Sequence, residues 1–192
     1  MNYYNFSGGA RGADMGWEII GKKYNVQTVA FSFDKHRSLS PNREILTDEE
    51  LHEGWEMVLI SAAKMGKYVE KSSQYVRRLL SRNWFQVKNA DAIFAIGNIL
   101  KPGEKGKKYV NKSDIDVVDG GTGYAVMMGI ESDKPVYVFD QDKNNWFKWD
   151  NEFIEIEEPT LSKNFAGVGT RELNQNGINA IKSIYKKTFN DD

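Results

Sequence analysis

Short apolar runs alternate along this chain with segments in which apolar residues recur every three or four positions. Tyr3 to Phe6 is a short apolar strand that leads directly into Ser7-Gly8-Gly9-Ala10-Arg11-Gly12-Ala13-Asp14. Trp17, Ile20 and Tyr24 fall on one stripe and predict a helix, and Val26 to Phe31 predicts the next strand. The stretch Ser32 to Ile45, with His36, Arg37, Pro41 and Arg43, has no clear period and reads as a loop. Thr47 and Glu50 form a capping-box pair that opens a second helix, with Leu51, Trp55, Val58, Leu59 and Ala62 facing inward. Ser72 or Ser73 starts a third, with Val76, Leu79, Leu80 and Trp84 on its buried side.

Ala92 to Ile96 is a nearly continuous apolar run, as a central parallel strand covered on both faces requires. Gly97 to Lys112 turns polar and carries Lys101, Lys105, Lys107, Lys108 and Lys112, which reads as a flexible basic loop. Ile115 to Val118 regains strand character and runs into Asp119-Gly120-Gly121-Thr122-Gly123, with a helix over Ala125 to Ile130 and a strand over Pro135 to Phe139. Asp140 to Ser162, rich in tryptophan and acidic residues, reads as an irregular excursion over a sheet edge. Phe165-Ala166-Gly167-Val168-Gly169-Thr170-Arg171-Glu172 is again strand then glycine turn, before a helix carrying Ile178, Ile181, Ile184 and Tyr185. Strands alternating with helices predict one α/β domain over 1–192, with a doubly wound, mostly parallel sheet and helices on both faces.

Three segments thus share one pattern: apolar strand, glycine-rich turn, helix start. Each turn is expected at the carboxyl end of its strand, where open α/β sheets bind ligands. Backbone without Cβ lets several N–H groups approach an anion, and the helix N-terminus adds a partial charge of roughly +0.5. Tight packing explains any one such turn equally well; three in one chain point to an anion site.

Charge and composition narrow the ligand. A formal charge of −1 gives no basic excess for nucleic acid, so a single-stranded DNA role is disfavoured. The absence of cysteine excludes disulfides, thiolate nucleophiles and Cys-based zinc sites. His36 and His52 lack metal-site spacing, so no metal is invoked; His52 reads as solvated and His36 as a weak ligand candidate. No signal-peptide pattern and no apolar run of about 18 residues is present, which predicts a soluble cytoplasmic protein without membrane contact.

Ser7 to Asp14 resembles the SGGARGAD signature of the SLOG superfamily, which gathers the Lonely guy phosphoribohydrolases, the DprA-type domains and the YspA and YpsA-like proteins. Asp119 to Gly123, followed by Tyr124, is similar to their second glycine motif, and Arg82 is similar in placement to the arginine before the Lonely guy "sDa" strand. The resemblance implies a Rossmann-like fold and, by analogy alone, a homodimer or higher homo-oligomer. In that superfamily a GvGSR-type unit precedes SGGARGAD, whereas Gly167-Val168-Gly169-Thr170-Arg171 stands at the far end. Either the chain is a circular permutant, with this strand beside Tyr3 to Phe6, or it carries an added C-terminal βα unit.

The expected ligand is a nucleoside phosphate, ADP-ribose or a cyclic nucleotide, with no further cofactor. Ser7, Gly8, Gly9, Ala10 and Gly12 are expected around one phosphate, and Gly120, Gly121, Thr122 and Gly123 around another or the ribose. Gly167, Gly169 and Thr170 form the third loop; Arg11, Arg82 and Arg171 offer guanidinium forks that match phosphate. Asp14 is expected to cap its helix or order the loop, and Asp119 to meet a ribose hydroxyl or brace the turn. The resemblance ties glycosidic cleavage to a glutamate seven residues after the first glycine of GGxGTxxE, and that position is Met127. Glu18, Asp119, Glu172 and Arg82 remain candidates for chemistry. A non-catalytic binder or sequestering protein and a phosphoribohydrolase therefore both stand, the missing glutamate favouring the binder.

Overall fold

The computed structural model describes residues 2–107 and 109–190, so Lys108 of the basic loop lies outside the described residues. In chain order the elements are β1 (Tyr4–Ser7), α1 (Ala13–Lys22), β2 (Gln27–Ser32), β3 (Arg43–Ile45), α2 (Asp48–Lys64), α3 (Gln74–Asn89), β4 (Ala92–Gly97) and β5 (Ile99–Leu100). They continue with β6 (Val117–Val118), α4 (Thr122–Glu131), β7 (Val136–Asp140), β8 (Asn145–Asp150), β9 (Glu152–Ile156), β10 (Asn164–Gly169) and α5 (Gln175–Phe189).

Eight strands form one sheet in the order β3-β2-β1-β10-β4-β7-β8-β9. Pairing is parallel from β3 to β7 and antiparallel through β8 and β9, so the chain is an α/β protein with a mostly parallel sheet. The C-terminal strand β10 lies between β1 and β4, with Asn5 opposite Phe165 and Gly169 opposite Ile96. Alternate residues of β4 enter different clusters. Ile93 and Ala95 pack with Val58, Leu80 and Met127 from α2, α3 and α4, while Phe94 and Ile96 pack with Trp17, Ile181 and Ile184 from α1 and α5. All six residues of β4 are buried, as the apolar run requires.

The helix starts follow the sequence chemistry closely. Thr47 Oγ1 accepts from the Glu50 amide and Glu50 returns a carboxylate to the Thr47 amide, completing the capping box. Ser73 caps α3 by accepting from the Val76 amide. Leu59 and Val76, expected inward, are exposed. The buried stripe of α2 runs through Leu51, Gly54, Val58, Ser61 and Ala62, and Leu59 is turned about 100° from Val58. Val76 sits in the first turn of α3, ahead of the residues that reach the core.

Four other expectations change. The loop Ser32 to Ile45 ends in the short parallel strand β3. Inside the basic loop, β5 pairs antiparallel with β6, so the strand before Asp119 belongs to a separate two-stranded sheet rather than to the main one. Nor is that loop merely solvated, since Lys101 pairs with Asp116 at 2.7 Å and Lys107 pairs with Glu172. The segment read as irregular is the β8–β9 hairpin, which extends the sheet. Asp140 Oδ1 accepts from the amides of Asp142 and Lys143, closing a tight turn of the kind that joins antiparallel strands. Among the described residues no helix is long and apolar enough to cross a membrane.

Candidate functional site

A cavity of about 410 Å³ opens at the carboxyl ends of the adjacent strands β1, β10 and β4. Its walls come from all three glycine segments and from α3. Ala10 and Asp14 line it from the first segment, Asp119, Gly120, Gly121 and Thr122 from the second, and Gly169, Thr170, Arg171 and Glu172 from the third. Leu79, Leu80, Arg82, Asn83 and Gln86 face it from α3, and Gly97, Asn98, Lys107, Ala125, Gln141 and Val168 complete it.

The first and third loops are fastened together. Ala13 N–H donates to Thr170 O at 2.9 Å, and Gly12, at φ 93°, would bring a β-carbon to 2.5 Å from that carbonyl. Only glycine adopts this conformation readily and permits the approach. Gly8, Gly9, Gly123 and Gly167 likewise pack against protein rather than lining the cavity: Gly8 against Arg82, Gly9 against Ser38, Gly123 against Val118 O and Gly167 against Trp17 and Asn5. Gly120 and Gly121 have nothing within 4 Å of where a β-carbon would stand. Ser7 is buried with its Oγ accepting from the Gly9 amide at 3.3 Å, outside the cavity wall.

Asp14 Oδ2 accepts from the Ala10 amide at 3.1 Å, so it orders the loop; the N-cap position of α1 is Gly12, which offers no side-chain cap. Asp119 braces its turn, accepting from Gly120 N–H at 2.9 Å and from Lys107 N–H at 2.8 Å. Glu172 is taken up by Lys107. Glu18 is not brought to the cavity; it accepts from Ser40 Oγ at 2.9 Å and Asn42 Nδ2 at 2.7 Å and secures the approach to β3. Met127 is 1% exposed and packed in the core, so the motif position that would carry the carboxylate holds a buried thioether.

Arg82 dominates the electrostatics. It is 5% exposed, its Nε and Nη1 have no hydrogen-bond partner, and it joins no ion pair among the described residues. Burial lowers its pKa, opposed by the carboxylate of Asp14, with Arg171 adding repulsion. Burial raises the pKa of Asp14 in turn, against the pull of Arg82 and of the Ala10 amide. His36 lies outside the cavity, with Nδ1 2.8 Å from Ser32 Oγ and its ring stacked on Phe33. Burial, then Arg82, Arg171 and Arg43, hold its pKa down to about 4.

Asn83, Gln86 and Gln141 line the cavity without any motif signal, whereas Lys107 comes from the basic loop. Asn98 has such a signal, because it directly follows the carboxyl end of the central strand. Its Nδ2 donates to Asp142 at 2.7 Å, which leaves Oδ1 buried without a partner. Lys67 also lacks any motif; its ammonium lies 4.4 Å and 5.2 Å from the ring centres of Tyr109 and Tyr124 and 3.5 Å from Gly120 O, and burial brings its pKa down to about 8.

Fold and site together define an α/β protein whose glycine segments meet an unpaired buried arginine at the carboxyl edge of its sheet. The chain matches no protein-family model, no curated protein and no solved structure.

Proposed function

We propose that this chain is a Rossmann-like, doubly wound domain of the SLOG type that binds the phosphate of a nucleotide-type ligand in the cavity. The single observation that carries this reading is Arg82. An unpaired guanidinium taken out of water costs several kcal/mol, by order of magnitude, unless an anion offsets it. Phosphate matches the fork of Arg82, and Arg171, Thr122 and the open turn Gly120-Gly121 line the same cavity. The parallel pairing of β10 with β1 supports circular permutation, in which the usual first βα unit follows the others in sequence. The split of β4 neighbours between two helical clusters supports helices on both faces of the sheet.

Binding or sequestering without turnover is the favoured activity, because Met127 occupies the carboxylate position and Asp119 and Glu172 are already engaged. One observation keeps a glycosidic-bond hydrolase as the second reading: Asp14 lines the cavity with its pKa raised by burial, as a general acid requires. By the same resemblance the chain forms a homodimer or higher homo-oligomer, and the formal charge of −1 argues against nucleic acid as the ligand.

A thermal-shift screen against nucleoside mono- and diphosphates, ADP-ribose, NAD and cyclic nucleotides, with chromatography of each mixture, tests both readings. A stabilising ligand recovered intact establishes a binder, and a released base or ribose phosphate establishes the hydrolase. No shift with any of them contradicts the nucleotide site.

A further inference from the structure

A second, open cavity of about 660 Å³ adjoins the first and shares Asn98, Lys107, Gln141, Arg171 and Glu172 with it. Arg82 belongs to the inner cavity alone and Arg11 to the outer alone, while Arg171 lines both. These three arginines form a series across the two compartments. None of them joins an ion pair among the described residues.

The carboxylates of the outer cavity are already engaged. Asp142 accepts from Asn98 Nδ2 at 2.7 Å, and Glu172 is paired with Lys107. Arg11, Arg171 and Lys107 stand against Asp142 and Glu172, so the lining of the outer compartment keeps a surplus of one cation. A mononucleotide phosphate at Arg82 uses one end of the series and leaves Arg11 without a role.

Resting on the anion site proposed above, we infer that the two cavities form one bipartite site for a ligand with two linked anionic centres, a diphosphate ester. One phosphate lies at Arg82 and Arg171, the next at Arg171 and Arg11, and the group attached to the second phosphate occupies the outer cavity. The geometry selects diphosphate-bridged ligands over monophosphates. Arg11 is the residue that makes the distinction.

Calorimetric titration with orthophosphate and with pyrophosphate tests this without assuming any base. Wild-type protein, Arg11→Ala, Arg82→Gln and, as a control outside both cavities, Arg37→Ala are compared. Arg11 and Arg37 are both exposed, so their replacement leaves folding intact. The expected result is that Arg11→Ala weakens pyrophosphate about tenfold, the loss of one charge-assisted contact, and orthophosphate by less than twofold. Arg82→Gln weakens both anions, and Arg37→Ala neither. Equal loss of both anions in Arg11→Ala, or no loss of pyrophosphate, overturns the bipartite site while Arg82-dependent orthophosphate binding leaves the anion site standing. Failure of both anions to bind the wild-type protein overturns the anion site and the bipartite site together.

Discussion

Gly8 is seated against the guanidinium of Arg82, so closely that a β-carbon there would fall inside Nη1. The first glycine segment thus serves the site by making room for a cation rather than by wrapping an anion itself. Gly8→Ala is expected to displace the guanidinium and to abolish ligand-induced stabilisation. Thermal melts of the variant with and without ligand check this; an unchanged ligand shift would remove Arg82 from the site.

Arg82 itself is held at a cost to stability. Desolvation of its guanidinium outweighs the pull of the Asp14 carboxylate, so replacing it by a neutral side chain of similar length is expected to be neutral or stabilising. Arg82→Gln is expected to leave the unliganded melting temperature unchanged or to raise it by a few degrees, while losing the response to ligand. A large drop in the unliganded protein would mean that Arg82 has a structural partner after all.

Gly12 and Gly121 are expected to respond to the same substitution by very different amounts. Gly12→Ala places a side chain at φ 93°, 2.5 Å from Thr170 O, where the strained conformation alone costs about 1–3 kcal/mol. Gly121→Ala sits in open space at φ −68° and is expected to change stability by less than about 0.5 kcal/mol. Urea unfolding of the two variants separates packing glycines from those that merely border the cavity.

His36 gives the stability curve an acid slope. Its pKa is about 4 in the folded chain against 6.5 for an ordinary solvated imidazole, so between these values the unfolded chain takes up a proton that the folded chain refuses. Stability is therefore full above pH 6.5 and falls as the pH drops toward 4. His36→Gln is expected to flatten the difference between urea midpoints measured near neutrality and midway through that window. An unaltered difference would show that other groups set the acid limit.

Periodicity and capping chemistry made most of the fold legible. The Thr47–Glu50 box and the apolar run of β4 each stand where the pattern puts them. The β8–β9 hairpin escaped because Trp146 and Phe147 are buried side by side, which breaks the alternation that marks a half-buried strand. The three glycine segments do line one cavity at the carboxyl edge of the sheet, while Gly8, Gly9, Gly12, Gly123 and Gly167 pack closely against protein. Asn83, Gln86 and Gln141 reach the cavity only through tertiary placement, and no spacing in the chain announces them. That Arg82 is buried without an ion pair is likewise invisible in sequence, because it depends on how near the fold brings each carboxylate.

The most direct test is a crystal soaked in tungstate, a heavy phosphate analogue, with the anomalous density used to place the anion. A peak is expected beside the Arg82 guanidinium, inside the cavity that Thr122, Thr170 and Arg171 also line. Ordered tungstate elsewhere on the molecule, with none at Arg82, would contradict the anion site.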